Sequence, residues 1–142
     1  MRQKYLILYL LKQLGGTIEG ETKLQKLVFL GKEEFELPFS FSYSWENFGP
    51  FSGELRDILS NLENEGLIKI EEKKRLSPLG DPFSIRVYKL TKKGSKYLLE
   101  HIAEINKNTK KHIEELIDIY GKQDLKNILN YVYKTYSPEE VH

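Results

Sequence analysis

The sequence contains no cysteine, which excludes disulfide staples and thiolate metal sites and leaves the redox compartment open. It also has almost no net charge, because 22 basic side chains meet 21 acidic ones for a balance of +1. A global pull toward nucleic acid is therefore excluded, and any such site must arise from local asymmetry. Long apolar runs are missing too. Tyr5 to Leu11 is uncharged and follows Arg2 and Lys4, like the start of a secretory signal, but Lys12 ends it and no small-residue cleavage pattern follows. A bilayer span needs about 20 apolar residues. The run reads as a buried first helix, and the expected setting is cytoplasmic, with no membrane partner.

Catalytic signatures are equally scarce. His101 and His112 could share a face only on one straight helix, and neither they nor His142 are accompanied by further zinc ligands. Gly31-Lys32 lacks phosphate-loop spacing, and Gly94-Ser95-Lys96 fits no phosphate motif. Glu33-Glu34 and Glu114-Glu115 read as solvated charges. The expectation is no enzyme, no catalytic residue, no metal and no cofactor.

What is present is one domain's worth of patterned chain, 142 residues with 30% charged side chains and no internal repeat. A first helix over Arg2 to Leu14 stops at Gly15-Gly16. A second starts near Thr22 as N-cap, with Leu24, Leu27, Val28 and Phe35 inward and Lys23, Lys26 and Lys32 outward. Phe39, Phe41, Tyr43 and Trp45 alternate with serines, which predicts a strand with one aromatic face. After a turn at Phe48-Gly49-Pro50, Ser52 caps a third helix ending at Gly66. Leu67 to Ile70 and Ile85 to Leu90 read as strands around a loop of about fifteen residues. Thr91 caps a fourth helix, Asn106 to Asn108 breaks it, and two more helices follow, the fifth carrying Ile113, Leu116, Ile117 and Tyr120 and closed by Gly121. The fold class is α+β, mainly α: a winged helix-turn-helix over residues 1–105. Residues 106–142 form a helical extension packed on it or forming a dimer interface.

Three segments resemble a known family. Thr22-Lys23-Leu24-Gln25-Lys26-Leu27-Val28-Phe29-Leu30 is similar to the "KLQKLLYL" helix of the SocA-like antitoxins, or Panacea domains, and of related archaeal and bacterial winged-helix proteins. Phe48-Gly49-Pro50-Phe51-Ser52, with Leu55, Leu59, Leu62 and Gly66-Leu67-Ile68, resembles that family's "YGPYS…L…L…L…GLI". Tyr131-Val132-Tyr133-Lys134-Thr135-Tyr136-Ser137-Pro138-Glu139 resembles its "YVYxxYPE" ending, with Ser137 as an extra residue. The resemblance implies regulation or toxin–antitoxin-like protein binding, without catalytic chemistry.

Charge is asymmetric in one place. From Gly66 to Lys93 there are eight basic residues (Lys69, Lys73, Lys74, Arg75, Arg86, Lys89, Lys92, Lys93) against three acidic ones, an excess of five positive charges. Such a wing can neutralise DNA phosphates, with Lys73-Lys74-Arg75 as its focus. The third helix points the other way: Arg56 stands against Glu54, Asp57, Glu63 and Glu65, a poor match to phosphate. Arg56 and Asn61 remain the candidates for base contacts, and Lys73, Lys74, Arg75, Arg86, Lys92 and Lys93 those for phosphate.

The primary expectation is a duplex-DNA-binding transcriptional regulator. The alternative is an antitoxin-like interaction module without independent DNA binding, holding a protein such as a cognate toxin through the third helix and Phe41, Tyr43 and Trp45. Aromatic residues at period two are more often a buried strand face. A homodimer through Ile117, Tyr120, Leu129 and Tyr133 is a further expectation.

Overall fold

A computed structural model describes residues 2–141. Helix α1 (Arg2–Gln13) lies at the centre, with Leu6, Ile7, Leu8, Leu10 and Leu11 all buried. Its apolar run wraps the whole circumference because other elements cover it on several sides. At its end Gly16 adopts φ +89°, the left-handed conformation glycine takes without strain, and its N–H donates to Leu11 O at 2.8 Å.

A three-residue strand β1 (Thr17–Glu19) follows, then helix α2 (Glu21–Phe35). Sequence pattern did not reveal β1, since three residues between glycines carry no usable period. Helix α2 begins at Glu21 after Gly20, one residue ahead of the expected Thr22 cap, and no side chain caps it. Its lysines do not lie outside as expected. Lys26 is only 2% exposed and donates to Pro50 O at 2.8 Å. Lys23 donates to Gly121 O and Lys32 to Phe41 O. All three thus end on a backbone carbonyl, because packed elements cover most of α2.

The predicted aromatic strand is replaced by extended chain with no strand partner. Phe39, Phe41 and Tyr43 do sink inward while Ser40, Ser42 and Ser44 stay exposed. Side chains, however, satisfy the backbone: Ser40 N–H donates to Gln3 and Ser42 N–H to Glu54, while Phe41 O accepts from Lys32. Pairing begins only at β2 (Ser44–Glu46), which meets β3 (Gly49–Phe51) across the two-residue turn Asn47-Phe48. The expected Phe48-Gly49-Pro50 turn is thus half turn and half strand, and Gly49, at φ +88°, packs against Lys26 and Tyr133.

Helix α3 (Gly53–Asn64) is capped by Ser52, whose hydroxyl accepts from Leu55 N–H. The buried Gln25 amide clamps that cap, donating to Ser52 O at 3.0 Å and accepting from Ser52 N–H at 2.9 Å. Leu55, Leu59 and Leu62 face the core, leaving the opposite face in solvent.

Strands β4 (Ile68–Leu76) and β5 (Pro82–Leu90) form a regular antiparallel hairpin. The expected fifteen-residue loop shrinks to the tip Ser77–Asp81, because pairing continues through residues too polar to signal a buried strand. Strand β1 adds to the other edge of β5, giving the order β1-β5-β4. Helix α4 (Lys92–His101), capped by Thr91, packs on α1. Helix α5 (Lys107–Leu116), capped by Asn106, runs into a single π-turn (Ile117–Gly121), and α6 (Leu125–Thr135) closes the chain's helical part.

The result is a mainly helical α+β structure with a small antiparallel sheet. One hydrophobic core joins all its parts, including Ile113, Leu116, Ile128 and Val132 from the C-terminal helices. Among the described residues no helix is long and apolar enough to cross a membrane. His101 stacks on Tyr5 and bonds Glu104, whereas His142 lies outside the described residues.

Candidate nucleic-acid interface

In a strand, successive side chains point to opposite faces. The triplet Lys73-Lys74-Arg75 is therefore divided: Lys73, opposite Ile85, and Arg75, opposite Phe83, share one face, and Lys74, opposite Ser84, takes the other. A cluster in sequence is not a cluster in space.

The face carrying Lys74 also carries Ile70 and Tyr88, which pack toward the helices, and beyond them Glu72 and Arg86. Lys74 and Arg86 thus emerge on the helix side of the hairpin, past the edge of the core. Burial raises the Tyr88 phenol pKa, Glu21 adds to the shift, and Arg86 and Arg56 oppose it. Arg56 of α3 and Arg86 of β5 are thus both near enough to Tyr88 to act on its charge.

The cations differ in how far they are already neutralised. Arg56 forms a two-bond ion pair with Glu21, at 2.8 and 2.5 Å, and lies over the Phe51 ring. The Glu21 pairing raises its pKa above the ordinary value. Arg75 bonds Glu19. Lys69 and Lys89 flank Glu71, and their hydrogen bonds hold that carboxyl below its usual pKa, Lys89 foremost. Lys93 donates to the Glu65 carbonyl. Among the described residues, Lys73, Lys74, Arg86 and Lys92 have no carboxylate within ion-pair distance.

On α3 the acidic residues are partly engaged as well. Glu54 accepts from Ser42 N–H, Glu63 from Ile70 N–H, and Glu65 pairs with Lys4. Asn61 is exposed and free to bond outward. What sequence reasoning missed here is the role of Glu19, Glu21 and Glu71 as counter-ions, since sheet pairing brings Glu19 and Lys89 to their partners and helix packing brings Glu21 to Arg56.

The residues expected to bind a protein or a second copy fare differently. Phe41 and Tyr43 are buried in the core, so they line no surface, and only Trp45, half-buried against Tyr133, is reachable. Phe41 and Tyr43 turn inward because the unpaired segment needs their rings to anchor it. Ile117 and Tyr120 are likewise buried within the chain, and the Tyr120 hydroxyl donates to Glu34 at 2.5 Å. Of the expected dimer residues, only Leu129 and Tyr133 reach the surface, where Ile119 and Leu125 are exposed as well. The hairpin tip, by contrast, exposes Leu76, Leu79 and Phe83.

No protein-family model matches the sequence. Over 85 residues, 59% of this chain, the sequence is 37% identical to "Uncharacterized protein YwgA" of Bacillus subtilis (strain 168). The matched part is 47% of that protein, so the chain corresponds to about half the length of the curated relative it matches.

Proposed function

We propose that residues 1–105 are a winged helix that binds duplex DNA, with the β4–β5 hairpin as the wing, and that the protein is a transcriptional regulator. Support comes from the order of helices and strands and from the sheet order β1-β5-β4, which sets a hairpin beside an accessible α3. The observation that carries the reading is the pair Lys74 and Arg86, on the helix side of that hairpin and, among the described residues, with no carboxylate within ion-pair distance, although Glu72 stands opposite Arg86 in the register. Lys73 and Lys92 add phosphate contacts. Arg56, already held by Glu21, positions the start of α3 more than it reads bases, so binding is led by the wing and depends weakly on sequence.

Fluorescence anisotropy of a labelled mixed-sequence duplex across a salt series tests this. Affinity should fall steeply with salt, and Lys74→Ala with Arg86→Ala should reduce the log–log salt slope by about 2. Absence of binding at low salt sinks the proposal. The second reading, an antitoxin-like module with a protein partner, is favoured by the exposed Leu76, Leu79 and Phe83 at the hairpin tip. It predicts that a neighbouring encoded protein copurifies and that free DNA is bound poorly.

A further inference from the structure

Between the first turns of α2, the β2–β3 turn and the start of α3 lies an open cleft of about 370 Å³, within the size range of small-molecule sites. Thr22, Gln25, Lys26, Asn47, Phe48 and Phe51 line it. We propose that this cleft binds a small molecule bearing an oxyanion, held by the Lys26 ammonium, with its apolar body against Phe48 and Phe51. The proposal is independent of whether the hairpin binds DNA.

Lys26 is 2% exposed, yet its ammonium has three donors and a single acceptor, Pro50 O. No carboxylate lies within ion-pair distance of it among the described residues. A buried cation without a counter-ion is costly, and a chain tolerates it where something outside the chain completes the site. Burial pushes its pKa down to about 8, with Glu21 opposing. At pH 7 roughly nine in ten molecules still carry the charge.

The other charges of the cleft are placed where they do not pair with it. Glu21 has both oxygens on Arg56, which makes that pair neutral within itself. Glu46 is exposed at the rim and accepts from the Ser44 hydroxyl. Among the described residues Lys26 is thus the one unpaired cation of the cleft, deep in its wall, and Glu46, the unpaired carboxylate, stands in solvent at the rim, where water screens it. Gln25 has both ends of its amide on Ser52 and forms wall, not contact. Phe48, 57% exposed at the mouth, offers open apolar surface. An anion with an attached ring fits both features.

The test is a 1H–15N NMR titration of the full chain with sodium benzoate and, separately, phenyl phosphate, with benzyl alcohol as the uncharged control. At least one anion should shift the Thr22, Asn47 and Gly49 amides saturably, with a Kd on the order of 1 mM or tighter. The two arms distinguish carboxylate from phosphate. Lys26→Met should weaken that binding about tenfold, and Phe48→Ala should weaken it severalfold with the fold unchanged. The proposal is overturned by no saturable shift with either anion, by an equal response to benzyl alcohol, or by unchanged affinity in Lys26→Met. Should Lys26→Met not fold, unchanged affinity in Phe48→Ala overturns it.

Discussion

At the residue scale, Lys26 couples stability to pH. Its folded-state pKa, about 8, lies below the ordinary 10.5 because burial penalises the ammonium. Between those two values the unfolded chain binds more protons than the folded one, so stability rises with pH across that window. Below pH 8 both states are charged and the burial penalty is constant. Relative to Lys26→Met, the wild type should gain about 3 kcal/mol between pH 8 and 10.5. Urea denaturation of both proteins at pH 7, 8, 9 and 10 measures the difference, in which the tyrosine contributions cancel. A wild-type minus variant difference that stays flat would show that Lys26 is not buried as a cation. The absolute stability at pH 7 should change little, since the variant relieves a buried charge and also orphans Pro50 O.

Elements meet where the chain has least room. Gly94, in the first turn of α4, sits so close to the residue before β4 and to the end of β5 that an added Cβ would lie 2.0 Å from Leu67 O and 2.9 Å from Leu90 Cδ1. An alanine there gains roughly 1 kcal/mol of helix propensity, but it collides with backbone that is itself held, since Leu67 O accepts from Thr91 N–H and the Thr91 hydroxyl. Overpacking wins, and Gly94→Ala should lose about 3 kcal/mol. Thermal unfolding checks this, and an unchanged melting temperature would refute the crowding. This junction was legible in sequence only as a cap, because Thr91 announces the helix while the close approach at Gly94 has no local signature. Two caps could be read, since Ser52 and Thr91 do what their side chains predict, whereas the expected Thr22 cap is not used and Asn106, read only as a break, caps α5. Period-two burial at Phe39, Phe41 and Tyr43 was legible as well. Strand pairing was not, because hydrogen-bond partners such as Gln3 and Glu54 are remote in sequence. The same holds for the interface: its cations were countable from the sequence, whereas their division between two faces and their neutralisation by Glu19, Glu21 and Glu71 depend on register and tertiary contact.

At the scale of the whole molecule, the question is whether residues 106–142 are an appendage or part of the fold. Ile113, Leu116, Ile128 and Val132 are fully buried in the core that also holds α1 and α2. The Tyr120, Tyr131 and Tyr136 hydroxyls all donate to Glu34 near the end of α2, tying the C-terminal helices to it by polar contacts as well. Burying four aliphatic side chains at about 1.5–3 kcal/mol each contributes roughly 6–12 kcal/mol, comparable with the whole stability of a domain, about 5–15 kcal/mol. Truncation after Ile105 would therefore leave α2 without cover and a remainder unable to fold cooperatively. The truncated chain should show poorly dispersed amide resonances and no sharp thermal transition. If it instead melts like the full chain, residues 1–105 stand as an independent domain, and the buried side chains of α5 and α6 serve only to dock an extension onto it.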